Sequence, residues 1–185
     1  MKNIILASSS PRRIEIMNSN GYYPKIIPAD VDETLPFAMN PKASAMYLAY
    51  KKADFVLNTA KSDGSTIIAA DTIVVYNNII IGKPKNRDDA LHTLCTLKGK
   101  SHHVITGVCI LDTKKNIKEC FNEDTTVFFK DYNDRELIDY INTPEPYDKA
   151  GGYAIQGTFK KYIDHIEGDF DNVVGFPWNK VKEFL

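Results

Sequence analysis

Apolar positions along this sequence recur with two different spacings, one typical of strands and one typical of helices. Continuous or alternating apolar runs predict strands at residues 4–6, 23–27, 66–76, 79–81, 101–111, 117–130 and 161–166. Helical spacing predicts helices at residues 11–20, 87–97, 133–141 and 179–185, and a further one that begins at Pro41. Residues 144–157 and 169–178 are predicted to be loops, because glycine and proline interrupt both patterns there.

Capping residues mark where several of these helices begin. Ser10 precedes Pro11, Asn40 precedes Pro41, and Asn86 precedes the helix that starts at residue 87. Short polar side chains of this kind accept hydrogen bonds from the free N–H groups of the first turn, and proline fits the first helical position. We therefore predict Ser10, Asn40 and Asn86 as N-caps.

The turn between the first strand and the first helix is a candidate anion site. Ser8 lies in this turn, and Arg12 and Arg13 fall in the first helical turn. A helix N-terminus presents free N–H groups and a positive dipole end, which favour an anion and disfavour a nearby cation. A phosphate bound between the arginines would explain the pair, and an ordinary solvated arginine pair is the alternative.

A loop that contains Asp30, Asp32 and Glu33 is acidic enough to hold a divalent cation. A solvated loop without a metal explains the same composition. The helix that follows carries Lys52 on its apolar face, four residues after Leu48. That lysine either extends its charge out to solvent or reaches into a cleft.

Asp71 is the most informative residue of the sequence, because it interrupts a long apolar strand. Burying an ionised carboxylate is costly unless a cation, a metal or strong hydrogen bonds compensate. A structural pair with a nearby lysine would satisfy this requirement, but a catalytic or metal-binding role is favoured. Two further segments carry candidate groups, namely Lys83 beside Pro84 and the glycine-rich residues 144–157.

Composition narrows the class of protein without identifying it. Hydrophobic residues make up 43% and charged residues 25% of the 185 positions, as in an ordinary globular domain. A net charge of −1 argues against a broad nucleic-acid-binding surface. The three cysteines have no metal-binding spacing, and no apolar run has the length of a membrane span or signal peptide. We expect one cytoplasmic domain, residues 1–185.

Six motifs in order resemble those of the Maf proteins, which are nucleoside triphosphate pyrophosphatases. They are S-x-S-P-R-R from Ser8, A-D-T around Asp71, G-K-P from Gly82, G-x-x-H-x-V-x-T-G from Gly99, D-K-A-G-x-Y-x-I-Q-G from Asp148 and N-V-V-G-x-P from Asn172. The resemblance implies a mixed α/β fold similar to inosine triphosphatases, with an elongated, curved sheet flanked by helices and two lobes around a nucleotide cleft.

The resemblance also implies a reaction and assigns residues to it. A nucleoside triphosphate and water would give the monophosphate and pyrophosphate, with Mg²⁺ or Mn²⁺ as cofactor. Asp71 matches the family's proton acceptor, and Glu33 matches a carboxylate that assists the metal; both are candidate metal ligands. Lys52 and Lys83 match lysines that would meet phosphate oxygens. A cytoplasmic location and a homodimer are typical of these proteins.

Substrate-binding residues follow from the same motifs. Ser8, Arg12 and Arg13 match the phosphate-binding turn, and Asp148 and Lys149 match a charged pair near the site.

Three positions indicate the subfamily. Arg12, Thr72 and Gln156 match relatives that act on dTTP and UTP, whereas relatives that act on 7-methyl-GTP tend to have Trp, Gln and Glu there. A hydroxyl and an amide suit the edge of uracil or thymine, which offers carbonyl acceptors and an N–H donor. The alternatives are a pyrophosphatase for 7-methyl-GTP or modified nucleotides, and a nucleotide-binding regulator of septum formation. A nucleic-acid-binding protein is disfavoured by the balanced charge.

Overall fold

A mixed sheet lies at the centre of the structure, a computed structural model that describes residues 3–60, 62 and 64–185. In these residues seven strands are present: β1 (Asn3–Leu6), β2 (Lys25–Ile26), β3 (Ser65–Tyr76), β4 (Ile79–Ile81), β5 (Ser101–Asp112), β6 (Ile117–Phe129) and β7 (Ile163–Glu167). The strand order is β2-β1-β3-β5-β6-β7, with β4 paired to β3. The β1–β2 and β1–β3 pairs are parallel, and the remaining pairs are antiparallel.

Helices pack around this sheet, which confirms the predicted mixed α/β class. They are α1 (Pro11–Ser19), α2 (Pro41–Thr59), α3 (Arg87–Leu97), α4 (Asp134–Ile141), α5 (Phe170–Val174) and α6 (Trp178–Val181). The Asn40 and Asn86 side chains cap α2 and α3 as predicted, since they accept hydrogen bonds from the N–H groups of Ala43 and Asp89. Asn133 and Glu136 form the predicted capping box of α4.

The C-terminal third differs most from the sequence-based prediction. Short 3-10 helices occupy Glu145–Asp148, Ala150–Gly152, Thr158–Tyr162 and Lys182–Phe184. β7 therefore begins at Ile163 rather than residue 161, and α5 lies where a loop was predicted. β2 is also shorter than the predicted residues 23–27. Segments of three to five residues take their conformation from tertiary contacts, which leave no periodic signal in the sequence.

One edge of β3 is left without a neighbouring strand in its middle. The parallel pairing with β1 ends at Ile68, and the antiparallel pairing with β4 starts at Val74. On the opposite edge β5 pairs continuously with β3 from Thr66 to Val75. Among the described residues, no strand therefore lies beside positions 69–73 on the β1 side. Asp71 and Thr72 lie in this gap.

The apolar core is divided into clusters on the two sides of that gap. One cluster joins α3, α4 and the 3-10 helices to the C-terminal ends of β3 and β6 and the N-terminal end of β5. Leu94 and Phe159 are fully buried in it. A second joins α1, α5 and α6 to β1 and the other half of the sheet, with Met17 and Phe176 fully buried. The two clusters form the lobes on either side of the gap.

α2 covers one face of the sheet with mostly small side chains. Ala45, Leu48, Ala49, Ala53 and Val56 are buried on this face, as the helical spacing predicts. Separately, no helix among residues 3–60, 62 and 64–185 has both the length and the apolar character required to cross a bilayer.

Candidate functional site

A cleft of about 840 Å³ opens at the unpaired edge of β3, between the two lobes. Ten of the eleven predicted site residues line it: Ser8, Arg12, Arg13, Glu33, Lys83, Asp71, Thr72, Asp148, Lys149 and Gln156. The eleventh, Lys52, lies directly behind, where it contacts two of these residues. Residues that are far apart in the sequence are thus brought to one place.

The centre of the site is a lysine bonded to two carboxylates. The Nζ atom of Lys52 lies 2.5 Å from Oδ1 of Asp71 and 2.8 Å from Oε1 of Glu33. The Asp71 side chain is buried, so the ammonium group supplies the compensation that its charge requires. Lys52 therefore points toward the cleft from behind its wall, and it also makes the lysine–aspartate pair that was the structural alternative.

The acidic loop contributes one carboxylate to this centre rather than three. Asp32 turns back on its own loop, where it accepts hydrogen bonds from the Thr34 N–H and hydroxyl. Lys51 donates to the Asp32 carbonyl and so ties the loop to α2. Glu33 alone lines the cleft, and its hydrogen bond with Lys52 lowers the pKa of its carboxyl group.

A metal ion in this cleft would be coordinated by few protein ligands. Across residues 3–60, 62 and 64–185, no group of three or more His, Cys, Asp or Glu side chains is close enough to hold an ion. Asp71 and Glu33 each use one oxygen for Lys52, and the other oxygen makes no hydrogen bond to the described part of the chain. Two carboxylates suit Mg²⁺, which completes its coordination with water and substrate phosphates.

Ser8, not Ser10, provides the side-chain oxygen in the turn before α1. Ser10 is the N-cap residue of α1, as predicted, but its side chain makes no capping hydrogen bond. The Ser8 hydroxyl oxygen instead accepts from the Ser10 N–H at 3.2 Å and from Nη1 of Arg13 at 3.1 Å. Both acceptor positions of this hydroxyl are filled, so its hydrogen remains available for a ligand.

Arg13 is held by the protein to a degree that the sequence does not predict. Besides Ser8, its guanidinium donates to the Gly175 carbonyl at 2.9 Å and to the Thr72 hydroxyl at 3.1 Å. Burial lowers the pKa of Arg13, although the nearby Asp71 charge acts in the opposite direction. Arg13 thus joins three elements of the site, and two of its five N–H groups are left for a ligand.

The opposite wall comes from the segment of 3-10 helices. Lys149 donates to the Asp148 carboxylate and, at 2.9 Å, to the Glu145 carbonyl. Desolvation acts to raise the pKa of Asp148, but the hydrogen bond from Lys149 and the charge of Arg12 outweigh it and lower that pKa. The charge of Arg12 on one lobe thus acts on the Asp148 carboxyl on the other. Gln156 is exposed at the same wall.

Sequence reasoning missed the polar groups behind the cleft. Thr106 and Asn172 are fully buried and hydrogen-bonded to each other, and Thr106 contacts the Thr72 hydroxyl. His102 is buried beneath the glycine-rich wall, where its Nε2 atom lies 2.7 Å from the Tyr153 hydroxyl. All four residues belong to the recognised motifs, but a motif does not show which side chains support others.

These features define an α/β protein with a cleft that places basic side chains beside a lysine–carboxylate centre. The family model described as "Maf-like protein" matches residues 3–185. The chain belongs to the Maf family. A protein of Caldicellulosiruptor bescii named dTTP/UTP pyrophosphatase is 44% identical over 187 residues, which cover 100% of this chain and 94% of that protein.

A further relative and a solved structure were also found to be similar to this chain. A protein of Alkaliphilus metalliredigens with the same name is 46% identical over 185 residues, with 100% of this chain and 95% of that protein covered. Among solved structures, the Staphylococcus aureus Ham1 protein superposes with a TM-score of 0.48 and 17% identity. That match covers 69% of this chain and 72% of the Ham1 chain.

Proposed function

We propose that this protein hydrolyses dTTP and UTP to the nucleoside monophosphate and pyrophosphate. The observation that carries the proposal is the Lys52–Asp71–Glu33 centre, which lies in one cleft with Arg12 and Lys83. The relatives named dTTP/UTP pyrophosphatase match this chain over its full length, and their names support the same substrates. The reaction serves to remove nucleotides from the cellular pool.

Triphosphate binding uses the basic side of the cleft. Arg12 and Lys83 line it without a hydrogen bond to a protein carboxylate in the described part of the chain, so their charges are open to phosphate oxygens. The Ser8 hydroxyl donates its hydrogen, and the first N–H groups of α1 have no partner within the helix. Together these groups hold the chain of phosphates beside Asp71.

Asp71 and Glu33 are the residues that would hold a divalent cation such as Mg²⁺ or Mn²⁺. When bound, such an ion polarises a phosphoryl oxygen and neutralises charge on the triphosphate. The ammonium group of Lys52 fixes the two carboxylates in the orientation that the structure shows. Removal of divalent ions with a chelator is expected to abolish turnover.

The chemical step is attack by water on the α-phosphorus. Asp71 accepts a proton from the water as the new phosphorus–oxygen bond forms, and the bond to the oxygen that bridges the α and β phosphates breaks. Arg12 and Lys83 stabilise the charge that develops on the leaving pyrophosphate.

Base recognition falls to Thr72, Gln156 and Arg12. A hydroxyl and an amide can together pair with the carbonyl and N–H groups of uracil or thymine. Thr72 and Gln156 line the same cleft from different lobes, so a base between them would be contacted from both sides. The resemblance further implies a single domain, a cytoplasmic location and a homodimer, and these remain predictions.

The experiment is pyrophosphate release from dTTP, UTP, CTP, ATP, GTP and 7-methyl-GTP, with Mg²⁺ or Mn²⁺ and with a chelator. We expect metal-dependent release that is fastest with dTTP and UTP. Release from 7-methyl-GTP alone would keep the class of reaction and contradict the substrate assignment. Nucleotide binding without any release would contradict the proposed activity and favour a regulator.

A further inference from the structure

A second threonine, entirely shielded from solvent, stands behind the hydroxyl of Thr72. Thr106 lies directly opposite Thr72 in the β3–β5 ladder, and their Oγ1 atoms are 3.0 Å apart. Thr106 has no exposed surface, so it cannot touch a ligand in the cleft. Thr72 is partly exposed and lines the cleft. Any effect of Thr106 on substrate choice must therefore act through Thr72.

We infer that Thr106 is a positioning residue that fixes the Thr72 hydroxyl as a hydrogen-bond acceptor, so that the cleft selects bases with a ring N–H, uracil and thymine, over cytosine. The inference rests on the proposed function, because it assumes that the base of a pyrimidine nucleotide meets Thr72. It adds a residue and a direction of hydrogen bonding to that assignment.

The direction follows from counting hydrogens. The Thr106 hydroxyl has one hydrogen, which it donates to the Asn172 carbonyl at 3.1 Å. Its contact with Thr72 must then use the hydrogen of Thr72. Since Thr72 also accepts from Nη2 of Arg13 at 3.1 Å, one acceptor position of its oxygen is left for a ligand.

The alternative arrangement leads to the same absence of a donor. If Thr106 donated to Thr72, the Thr72 hydrogen would turn to the Gly175 carbonyl, at 3.5 Å. In both arrangements the hydrogen of Thr72 is used within the protein, but only the first leaves an acceptor position for a ligand, since in the second the Thr72 oxygen accepts from both Arg13 and Thr106. The shorter contacts favour the first arrangement, because hydrogen bonds weaken toward 3.5 Å.

Asn172, whose carbonyl accepts the hydrogen bond from Thr106, is itself held in place by the protein. Asn172 is fully buried, and its side-chain nitrogen donates to the Val104 carbonyl and to the Thr125 hydroxyl, both at 2.9 Å. Its backbone carbonyl also accepts from the Gly175 N–H at 2.9 Å. Rotation of the Thr106 hydroxyl away from this carbonyl would therefore break a hydrogen bond with a fixed partner.

An acceptor-only hydroxyl discriminates between pyrimidines at one ring atom. In uracil and thymine N3 carries a hydrogen, whereas in cytosine the same atom is an unprotonated acceptor. A hydroxyl that can only accept a hydrogen bond pairs with N3 of uracil or thymine. With cytosine, the lone pair of N3 would face a lone pair of the hydroxyl oxygen. A binding site that hydrogen-bonds a particular group of its substrate rejects analogues without that group, because the polar groups of the site are then left unpaired.

The test compares Thr106→Val with Thr106→Ser and with Thr66→Val, a buried threonine at the other end of β3. Binding of the non-hydrolysable α,β-imido analogues of UTP and CTP is measured by calorimetry, and the ratio of their dissociation constants is the readout. We expect wild-type protein, Thr106→Ser and Thr66→Val to prefer the UTP analogue by about tenfold or more. In Thr106→Val the Thr72 hydrogen loses its partner at 3.0 Å and keeps only the weak 3.5 Å contact with the Gly175 carbonyl, so it can turn to a ligand acceptor, and the preference should fall at least about fivefold.

A ratio that is unchanged in Thr106→Val overturns the inference. If that variant does not fold, the wild-type protein still tests it with the N3-methyl analogue of UTP, which lacks the ring N–H. Equal binding of the three analogues by wild-type protein, or no binding of any, also overturns it. Because binding is measured separately from pyrophosphate release, a retained preference without turnover would contradict only the proposed activity.

Discussion

Asp71 and Thr72 are neighbours in the chain but belong to opposite faces of the sheet. Side chains alternate along a strand, so Asp71 points toward α2 and Lys52, while Thr72 points toward Arg13 and Thr106. Both remain accessible from one cleft because the edge of β3 has no neighbouring strand there. We infer that chemistry takes place on the α2 face and base recognition on the other.

The first prediction concerns the carboxylate itself. Asp71→Asn keeps the size of the side chain but removes the charge and the capacity to accept a proton from water. We expect turnover of dTTP to fall by about 10²–10⁴-fold. Binding of the α,β-imido analogue of dTTP, measured by calorimetry, should remain detectable.

Asp54→Asn is the matched control, since Asp54 lies on α2 and its side chain is hydrogen-bonded to Tyr50 and Asn58, away from the cleft. Its turnover should be close to that of the wild-type protein. Near-normal turnover in Asp71→Asn would contradict the assignment of Asp71 as proton acceptor.

At the scale of elements, the distance between α2 and β5 decides whether Lys52 can reach Asp71. Gly107 is paired with Asp71 in the ladder, and the backbone of Ala45 crosses directly above it. A Cβ atom at position 107 would lie 2.2 Å from the carbonyl carbon of Ala45. The helix can approach this closely only because position 107 has no side chain.

We therefore predict that Gly107→Ala displaces α2 and with it Lys52. The clash involves backbone atoms, which cannot rotate away, so the free energy of unfolding should fall by about 1–3 kcal/mol. Urea unfolding measures this loss, and an assay of pyrophosphate release should show a parallel loss of turnover.

Gly82→Ala is the comparison for stability, because a Cβ atom there would meet nothing within 4 Å. Equal unfolding midpoints for Gly107→Ala and Gly82→Ala would show that α2 does not depend on the missing side chain.

Much of the element pattern could be predicted from local sequence, and the parts that failed have a common cause. The Asn40 cap and the long strands β5 and β6 depend on nearby residues and were predicted. Ser10 is the N-cap residue of α1 as predicted, but its side chain does not make the expected hydrogen bond, and the Ser8 hydroxyl accepts from the Ser10 N–H instead. The predicted site residues meet in one cleft, but the hydrogen bond from Arg13 to the Gly175 carbonyl joins residues that are 162 positions apart and leaves no local signal.

At the scale of the whole molecule, His102 links the sheet to the wall of the cleft. It is buried against Phe129 and Tyr153, and its Nδ1 atom has no hydrogen-bond partner among the described residues. Burial lowers its pKa from 6.5 to about 3, and the neighbouring His103 acts in the same direction. His102 is therefore neutral in the folded protein at pH values where it would be protonated in the unfolded chain.

This difference predicts how global stability depends on pH. Because the folded pKa is the lower one, the contribution of His102 is complete above pH 6.5 and is lost as the pH falls below that value. Between pH 7 and pH 5 the free energy of unfolding should fall by about 2 kcal/mol on this account. The lowered carboxyl pKa values of Glu33 and Asp148 act below this range.

Urea unfolding at pH 7 and pH 5 measures the effect. His102→Gln should be less stable at pH 7 and should lose less between the two pH values. His92→Gln, an exposed position on α3, should behave like the wild-type protein. The same pH dependence in all three proteins would assign the effect to other groups.

The interrupted edge of β3 also affects how the protein meets other copies of itself. Free backbone groups on a strand edge are a template for pairing with strands of other chains, which leads to aggregation. Here the free stretch, residues 69–73, is only five residues long, and β1 and β4 continue the sheet on both sides of it. An incoming strand would collide with both neighbours, whereas a small molecule fits between them. The gap in the edge of β3 thus exposes backbone groups to a ligand without offering a pairing site for fibril growth.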